Sequence, residues 1–270
     1  MSNYPHALSE AMQSEAMDAL QSRGWCVLPG FVNQLVIEEA RDQLVPALRL
    51  RDATRMRNRV EGENDGTLHH LLADHYSFLD VLQALEPLDP LFKWYFGGNY
   101  ILNSYGGVIN RKNTKAYVHQ VHRDIRFSSD TKRFMLNVLV MLDAFTLENG
   151  ATYLLSGSQN TPEKPEMEQF VAQADRAIGP CGSLLLFDSR LWHATGQNRT
   201  DFSRRALTLT FTSPFFKQQL DYPRLLGYER RLELTPFVRQ VVGYNARVPA
   251  SLDEYYVPVN ERFYQRGQDD

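Results

Sequence analysis

A mainly β domain with flanking helices is what this sequence predicts, and three observations carry the prediction. From Asn99 to about residue 211, short runs rich in Val, Leu, Phe and Thr alternate with Gly, Asn, Pro and Ser clusters and leave no room for helices between them. That is the pattern of a sandwich, jelly roll or barrel, not of a parallel α/β sheet. Ahead of it, residues 8–21, 33–48 and 67–97 read as helical. A hydrophobic fraction of 43% in 270 residues fits a globular protein with a buried core. With no repeat and no boundary in composition, one domain is expected over 1–270.

Along the chain, Leu8, Met12, Ala16 and Leu20 recur at helical spacing, and Trp25-Cys26-Val27-Leu28 reads as a short strand closed by Pro29-Gly30. Asn33 is an N-cap candidate for a second helix running to about Leu48. Residues 49–66 then turn polar, with Arg49, Arg51, Arg55, Arg57 and Arg59. They read as a solvated loop, or as a lid whose arginines hold an anionic substrate. Residues 67–97 look helical again, which completes a helical part over 1–98. The expected strands are 100–109, 116–122, 134–142, 151–155, 183–187 and 204–211, within a core spanning 99–215. Gln159 to Pro180, with Pro162 and Pro165, reads as an insertion bearing one short helix. The tail, 216–270, carries Tyr222, Tyr228, Phe237, Tyr244, Tyr255, Tyr256 and Phe263, enough aromatic surface to pack onto the core.

Charge excludes some classes of partner. A net charge of −3 and a pI of about 6.2 supply no basic field for nucleic acid or an anionic membrane. No apolar run reaches membrane-spanning length, and neither a signal peptide nor a peroxisomal address is visible. Cys26 and Cys181 have no metal-ligand spacing and read as reduced core residues, which suits a cytoplasmic protein acting on a small molecule.

The chemistry concentrates in Tyr117-Val118-His119-Gln120-Val121-His122-Arg123-Asp124. In a strand, residues two apart share a face, so His122 and Asp124 project together with Gln120 beside them, while His119 points the other way. His193, after the apolar run Ser183–Phe187, is the candidate third ligand; Trp192 would face away from it. Two histidines and one carboxylate leave the opposite side of a metal open, the arrangement of non-haem Fe(II) oxygenases. Iron(II) with one carboxylate keeps a net positive charge. A dianionic oxo-acid makes the site net negative and leaves a carboxylate remote from the metal. Burying that group unpaired is costly, and a guanidinium neutralises it bidentately. Arg204 is the expected partner, with Arg205 on the opposite face. His69 and His70, in an expected helix, read as structural.

These residues resemble the phytanoyl-CoA dioxygenase family. The resemblance rests on His122-x-Asp124, Glu148-Asn149-Gly150-Ala151-Thr152 leading to Ser156-Gly157-Ser158, and Trp192-His193-Ala194-Thr195 followed by Ser203-Arg204-Arg205-Ala206. Gly24-Trp25-Cys26-Val27-Leu28-Pro29-Gly30-Phe31 is similar to the family's N-terminal entry. Together these cover about residues 15–212. The resemblance implies a double-stranded β-helix (jelly roll) with helices outside, and Fe(II), 2-oxoglutarate and O2 as reactants. It implies that His122, Asp124 and His193 hold the metal and that Arg204, assisted by Thr195, holds the distal 2-oxoglutarate carboxylate. Gln120, Thr152 and Asn137 match further cofactor contacts. Gln159 departs from the family's usual His, in a turn and not in the catalytic set.

The implied reaction is oxidation, most simply hydroxylation, of an unactivated C–H bond with release of succinate and CO2. A halogenase would lack the carboxylate of Asp124. Two alternatives remain: a zinc hydrolase on the same ligands, which needs a general base such as Glu148, and a non-catalytic binding jelly roll, which should have lost a ligand or the arginine. Arg126, Tyr105 and the arginines of 49–59 are the candidate substrate contacts. Positive groups there would suit a carboxylate-bearing substrate such as an amino acid or a natural-product intermediate.

Overall fold

Alternation along the strands decides the layering. In strand β7 (Leu184–Asp188), Leu184 and Leu186 enter one apolar cluster and Leu185 and Phe187 another. A strand buried on both sides must lie between two packed layers. The computed structural model describes residues 8–61, 66–113, 117–125 and 132–262.

In chain order the other elements are α1 (Glu10–Ser22), β1 (Trp25–Leu28), α2 (Gln34–Arg57), β2 (Thr67–Leu68), α3 (Tyr76–Gln83) and α4 (Asp89–Phe96). The core follows with β3 (Ile101–Asn110), β4 (Met135–Met141), β5 (Thr152–Leu154), α5 (Met167–Gln173) and β6 (Asp175–Ala177). After β7 come β8 (His193–Ala194), β9 (Arg204–Thr212), α6 (Tyr222–Leu226), α7 (Pro236–Val242) and α8 (Leu252–Tyr255). One antiparallel sheet has the order β1-β7-β4-β9-β3-β2, and a smaller one the order β6-β5-β8. They are the two sheets of a jelly roll.

The outer face of the large sheet is covered by helices. Ile37, Ala40 and Leu44 of α2, Phe78 and Leu82 of α3, and Phe92 of α4 join Leu102, Val138, Leu209 and Phe211 in one cluster. Each such side chain contributes about 1.5–3 kcal/mol on burial, so this layer dominates stability. Helix and sheet approach so closely at Gly107 that a Cβ there would lie 3.1 Å from Leu44 Cδ2 and 3.0 Å from Leu71 Cδ1. Trp25, Met141, Phe145, Leu154 and Phe187 fill one end of the space between the sheets. The other end is open, lined by Ser104, Gly106, Asn137, Thr208 and Thr210.

Three expectations need correction. The arginine run is not a loop: α2 continues to Arg57. Leu, Arg, Ala and Met are good helix formers, so polarity there marks a solvated helix face. Residues 67–97 are not continuously helical, because Thr67 and Leu68 pair with Val108 and Gly107. Arg51 then captures the carbonyls of His69 and His70 and the Asp74 carboxylate, which favours an irregular turn over a helix. Finally, the strand expected over 116–122 does not form among its described residues. Tyr117–His119 is a 3-10 turn, and contact with the sheet is a single bridge between His122 and His193.

The insertion carries α5 and also β6, which pairs with β5. Gln159 is buried, with Nε2 donating to Ser22 O at 3.3 Å. In the tail, Tyr222, Phe237 and Tyr244 are buried, whereas Tyr255 and Tyr256 are exposed; Phe263 lies outside the described residues. Asn33 caps α2 through Oδ1, which accepts from Leu35 N at 2.8 Å. No helix among the described residues is long and apolar enough to cross a membrane.

Candidate metal centre

His122 and His193 are locked to each other by their backbones. Each N–H donates to the other's carbonyl at 3.0 Å, a one-rung antiparallel ladder. Asp124 is returned to the same place by its N–H, which donates to Ser189 O at 3.1 Å. His122 and Asp124 are thereby brought together although no regular strand forms among the described residues of their segment. The loop supplying Ser189 is itself fixed by a buried ion pair: Arg190 donates to Asp188 through Nε at 3.0 Å and Nη2 at 2.7 Å.

The ring orientations suit a metal. His122 Nδ1 donates to Gln120 O at 2.8 Å, and His193 Nδ1 donates to Leu191 O at 2.9 Å. A carbonyl accepts only, so both rings carry the proton on Nδ1 and aim the Nε2 lone pair inward. His122 Nε2 lies 3.6 Å from Asp124 Oδ1, and His193 Nε2 lies 3.6 Å from Asp124 Oδ2. The three donors fall within 4.8 Å of one another. Metal–ligand bonds of roughly 2.0–2.2 Å place neighbouring donors about 3 Å apart, so the cluster is close to closing on one ion. Burial pushes the Asp124 carboxyl up, but His193, His122 and Asn137 outweigh it and hold the group below the usual carboxylate range. Burial is also the main cause holding His193 below the ordinary histidine value, which keeps its lone pair available.

Asn137 is the main revision among the cofactor candidates. Its Nδ2 donates to Asp124 Oδ2 at 2.7 Å, and its Oδ1 accepts from Thr210 Oγ1 at 3.0 Å. It orients the carboxylate and, with its second Nδ2 proton, also borders the cavity. Gln120 is exposed and does not line the cavity; only its carbonyl serves, as the acceptor for His122. Tyr105 borders the cavity, but its side chain faces the helices: the ring packs edge-on against Phe78 and the hydroxyl donates to Phe78 O at 3.0 Å. Arg126 lies outside the described residues.

Arg204 and Arg205 diverge as the strand period requires. Arg205 makes a bidentate pair with Asp143 at 2.8 and 2.9 Å. Arg204 is only 2% exposed, lies with its guanidinium 4.2 Å from the centre of the Phe145 ring, and leaves Nε and Nη2 without a hydrogen-bond partner among the described residues. Burial pushes it down to about 10. Thr152 Oγ1 is likewise buried and unpartnered. Both line the same cavity of 430 Å³ as His122, Asp124 and His193, together with Thr195. A buried cation and a buried hydroxyl that lack acceptors fit an incoming carboxylate.

Sequence reasoning missed His69 and His70, which line this cavity, and Ser104, Thr208, Thr210 and Gln219 with them. An adjacent histidine pair was the only local signal. His119 and Glu148 line a separate groove, so Glu148 is not positioned as a base at the metal cluster. Trp192 turns away from His193, its Nε1 donating to Thr161 O at 3.2 Å.

Residues 20–206 match the family model described as Phytanoyl-CoA dioxygenase (PhyH). The chain is 30% identical over 263 residues to the uncharacterised protein Rv1501 of Mycobacterium tuberculosis, spanning 94% of this chain and 95% of that one. It is 27% identical over 256 residues to the dioxygenase cdmA of Talaromyces verruculosus, spanning 87% and 84%. HygX from Streptomyces hygroscopicus, a crystal structure with nickel and 2-oxoglutarate bound, is similar in fold at a TM-score of 0.58. Its identity is 16%, over 82% of this chain and 95% of HygX.

Proposed function

The chain belongs to the phytanoyl-CoA dioxygenase family, and from that premise we propose that it is an Fe(II)- and 2-oxoglutarate-dependent dioxygenase that hydroxylates an unactivated C–H bond of a small molecule. The observation that carries the reading is Arg204: a buried guanidinium with unpartnered donors, in the cavity that also holds the His122, Asp124 and His193 donor set. Iron with 2-oxoglutarate supplies the oxidising chemistry, consuming O2 and releasing succinate and CO2.

The protein's own share is binding and orientation. His122, Asp124 and His193 hold the metal on one side, and Asn137 fixes the rotation of the Asp124 carboxylate. Arg204 pairs with the distal carboxylate of 2-oxoglutarate, with Thr152 and Thr195 beside it. Phe187, whose ring centre lies 4.8 Å from that of His193, keeps water from one flank of the ligand set. A zinc hydrolase is disfavoured because no carboxylate other than Asp124 lines the cavity among the described residues. The reading includes a cytoplasmic setting, in keeping with two free thiols.

The test is anaerobic. Fe(II) and then 2-oxoglutarate are added, and the visible metal-to-ligand charge-transfer band is recorded. The band should form with the native chain and be absent in Asp124→Ala. A folded, metal-loaded protein that gives no band would overturn the proposal.

A further inference from the structure

The wall of the cavity contributed by His69 and His70 plays no part in holding metal or oxo-acid. His70 is held in place from two sides. Its backbone sits in the left-handed region at φ +58, a costly conformation for a histidine. Arg51 of α2 enforces it by donating to the carbonyls of both His69 and His70, while also pairing with Asp74.

The ring is fixed from the opposite side by the tail. Tyr222 of α6 is fully buried, and its hydroxyl oxygen accepts from Tyr105 N at 2.8 Å. A buried hydroxyl must also donate. Among the described residues its one remaining neighbour is His70 Nδ1, at 3.0 Å. His70 Nδ1 is therefore the acceptor, and the proton of the neutral ring is on Nε2. Burial, then His69 and Arg51, lower the His70 pKa and favour that neutral form. The chain of donors running Tyr105 N–H, Tyr222 O–H, His70 leaves one uncommitted N–H on a residue that lines the cavity.

The remaining wall has a consistent character. Its polar side chains away from the metal cluster and Arg204 include Thr67, Ser104, Thr208, Thr210 and Gln219, and apart from Asp124 and Arg204 no fixed charge lines the cavity among the described residues. Gly106 keeps this wall open, since a Cβ there would lie 2.8 Å from Thr208 Oγ1. A carboxylate entering here would be desolvated without a partner; a hydroxyl, carbonyl or amide oxygen would not.

Resting on the dioxygenase reading, we propose that His70 Nε2–H is a substrate-binding donor, and that the part of the substrate it receives is uncharged and oxygen-bearing. It differs from the carboxylate-bearing substrate suggested by Arg126 and the arginines of 49–59, of which Arg49, Arg51, Arg55 and Arg57 lie on α2 and Arg126 lies outside the described residues.

The experiment uses histidine-selective ¹⁵N labelling of the full chain loaded with Zn(II) and 2-oxoglutarate, with the His70 signals assigned from His70→Phe. Butyramide and butyrate are the matched neutral and anionic probes. Nδ1 should resonate as an unprotonated nitrogen and Nε2 as a protonated one. Butyramide should shift Nε2 saturably, at least about tenfold more tightly than butyrate, given the cost of an unpaired buried carboxylate. Tyr222→Phe should release the tautomer to a mixture and weaken butyramide, and His70→Gln, which keeps an N–H donor, should retain part of its binding. A proton on Nδ1, a butyrate affinity equal to or above that of butyramide, or no response to either probe would each overturn the proposal. Failure of the Fe(II) charge-transfer band would instead overturn the dioxygenase reading, since the His70 tautomer is read in the zinc form.

Discussion

Replacing Arg204 by Met should stabilise the empty protein while abolishing tight 2-oxoglutarate binding. The two effects have one cause. Arg204 is buried with two donors unpartnered, and burial lowers its pKa from 12.5 to about 10. At one pH unit per 1.36 kcal/mol, that shift corresponds to a destabilisation on the order of 3 kcal/mol. The sign follows from proton linkage. The folded state binds this proton less tightly than the unfolded state, so the cost is fully present below pH 10 and fades as pH rises from there towards 12.5. At neutral pH the Met variant escapes it, for a melting temperature higher by roughly 5 °C in a chain of this size.

The oxo-acid suffers the opposite. Two charge-assisted hydrogen bonds at about 1.5–3 kcal/mol each disappear and leave a buried carboxylate unpaired. A loss of about 4 kcal/mol weakens 2-oxoglutarate roughly a thousandfold. Melting curves with and without 2-oxoglutarate, in the presence of a redox-inert metal, read both effects in one plate. An empty variant less stable than the native chain, or one still stabilised by 2-oxoglutarate at native concentrations, would refute the reasoning.

Two further outcomes follow from the same geometry. Asn137→Ala removes the donor to Asp124 Oδ2 and should weaken Fe(II) binding by about 10–100-fold, as for other partners of metal ligands; competition against a fluorescent chelator measures it, and an unchanged Kd contradicts the positioning role. Burial pushes the Cys26 thiol up to about 12 from 9.0. Above pH 9 the unfolded chain loses a proton that the folded chain keeps, so stability falls with rising pH, by about 1.4 kcal/mol at pH 10. Urea midpoints at pH 7.5 and pH 10 should show that loss in the native chain and a smaller one in Cys26→Ala. Equal losses would count against it.

Strand periodicity was legible without the structure because it is local. In β9 the alternation separating Arg204 from Arg205 depends only on an extended backbone, and the structure places the first in the cavity and the second on Asp143. The segment bearing His122 and Asp124 reads as a strand for its Val, Ile and Phe content, yet among its described residues only one rung of pairing forms. The residues still converge, because backbone bonds to His193 and Ser189 set their direction where a strand would have done so.

By itself, then, the sequence determined the layer architecture and pointed to the charged side chains and the candidate metal ligands, which follow from backbone period, polarity and spacing. Tertiary structure alone decided that Asn137 serves Asp124, and that His70 is pinned by Arg51 from one side and Tyr222 from the other. Each of these joins residues from elements distant in the chain. Their partners are chosen by which surfaces pack together, and no local pattern encodes that choice.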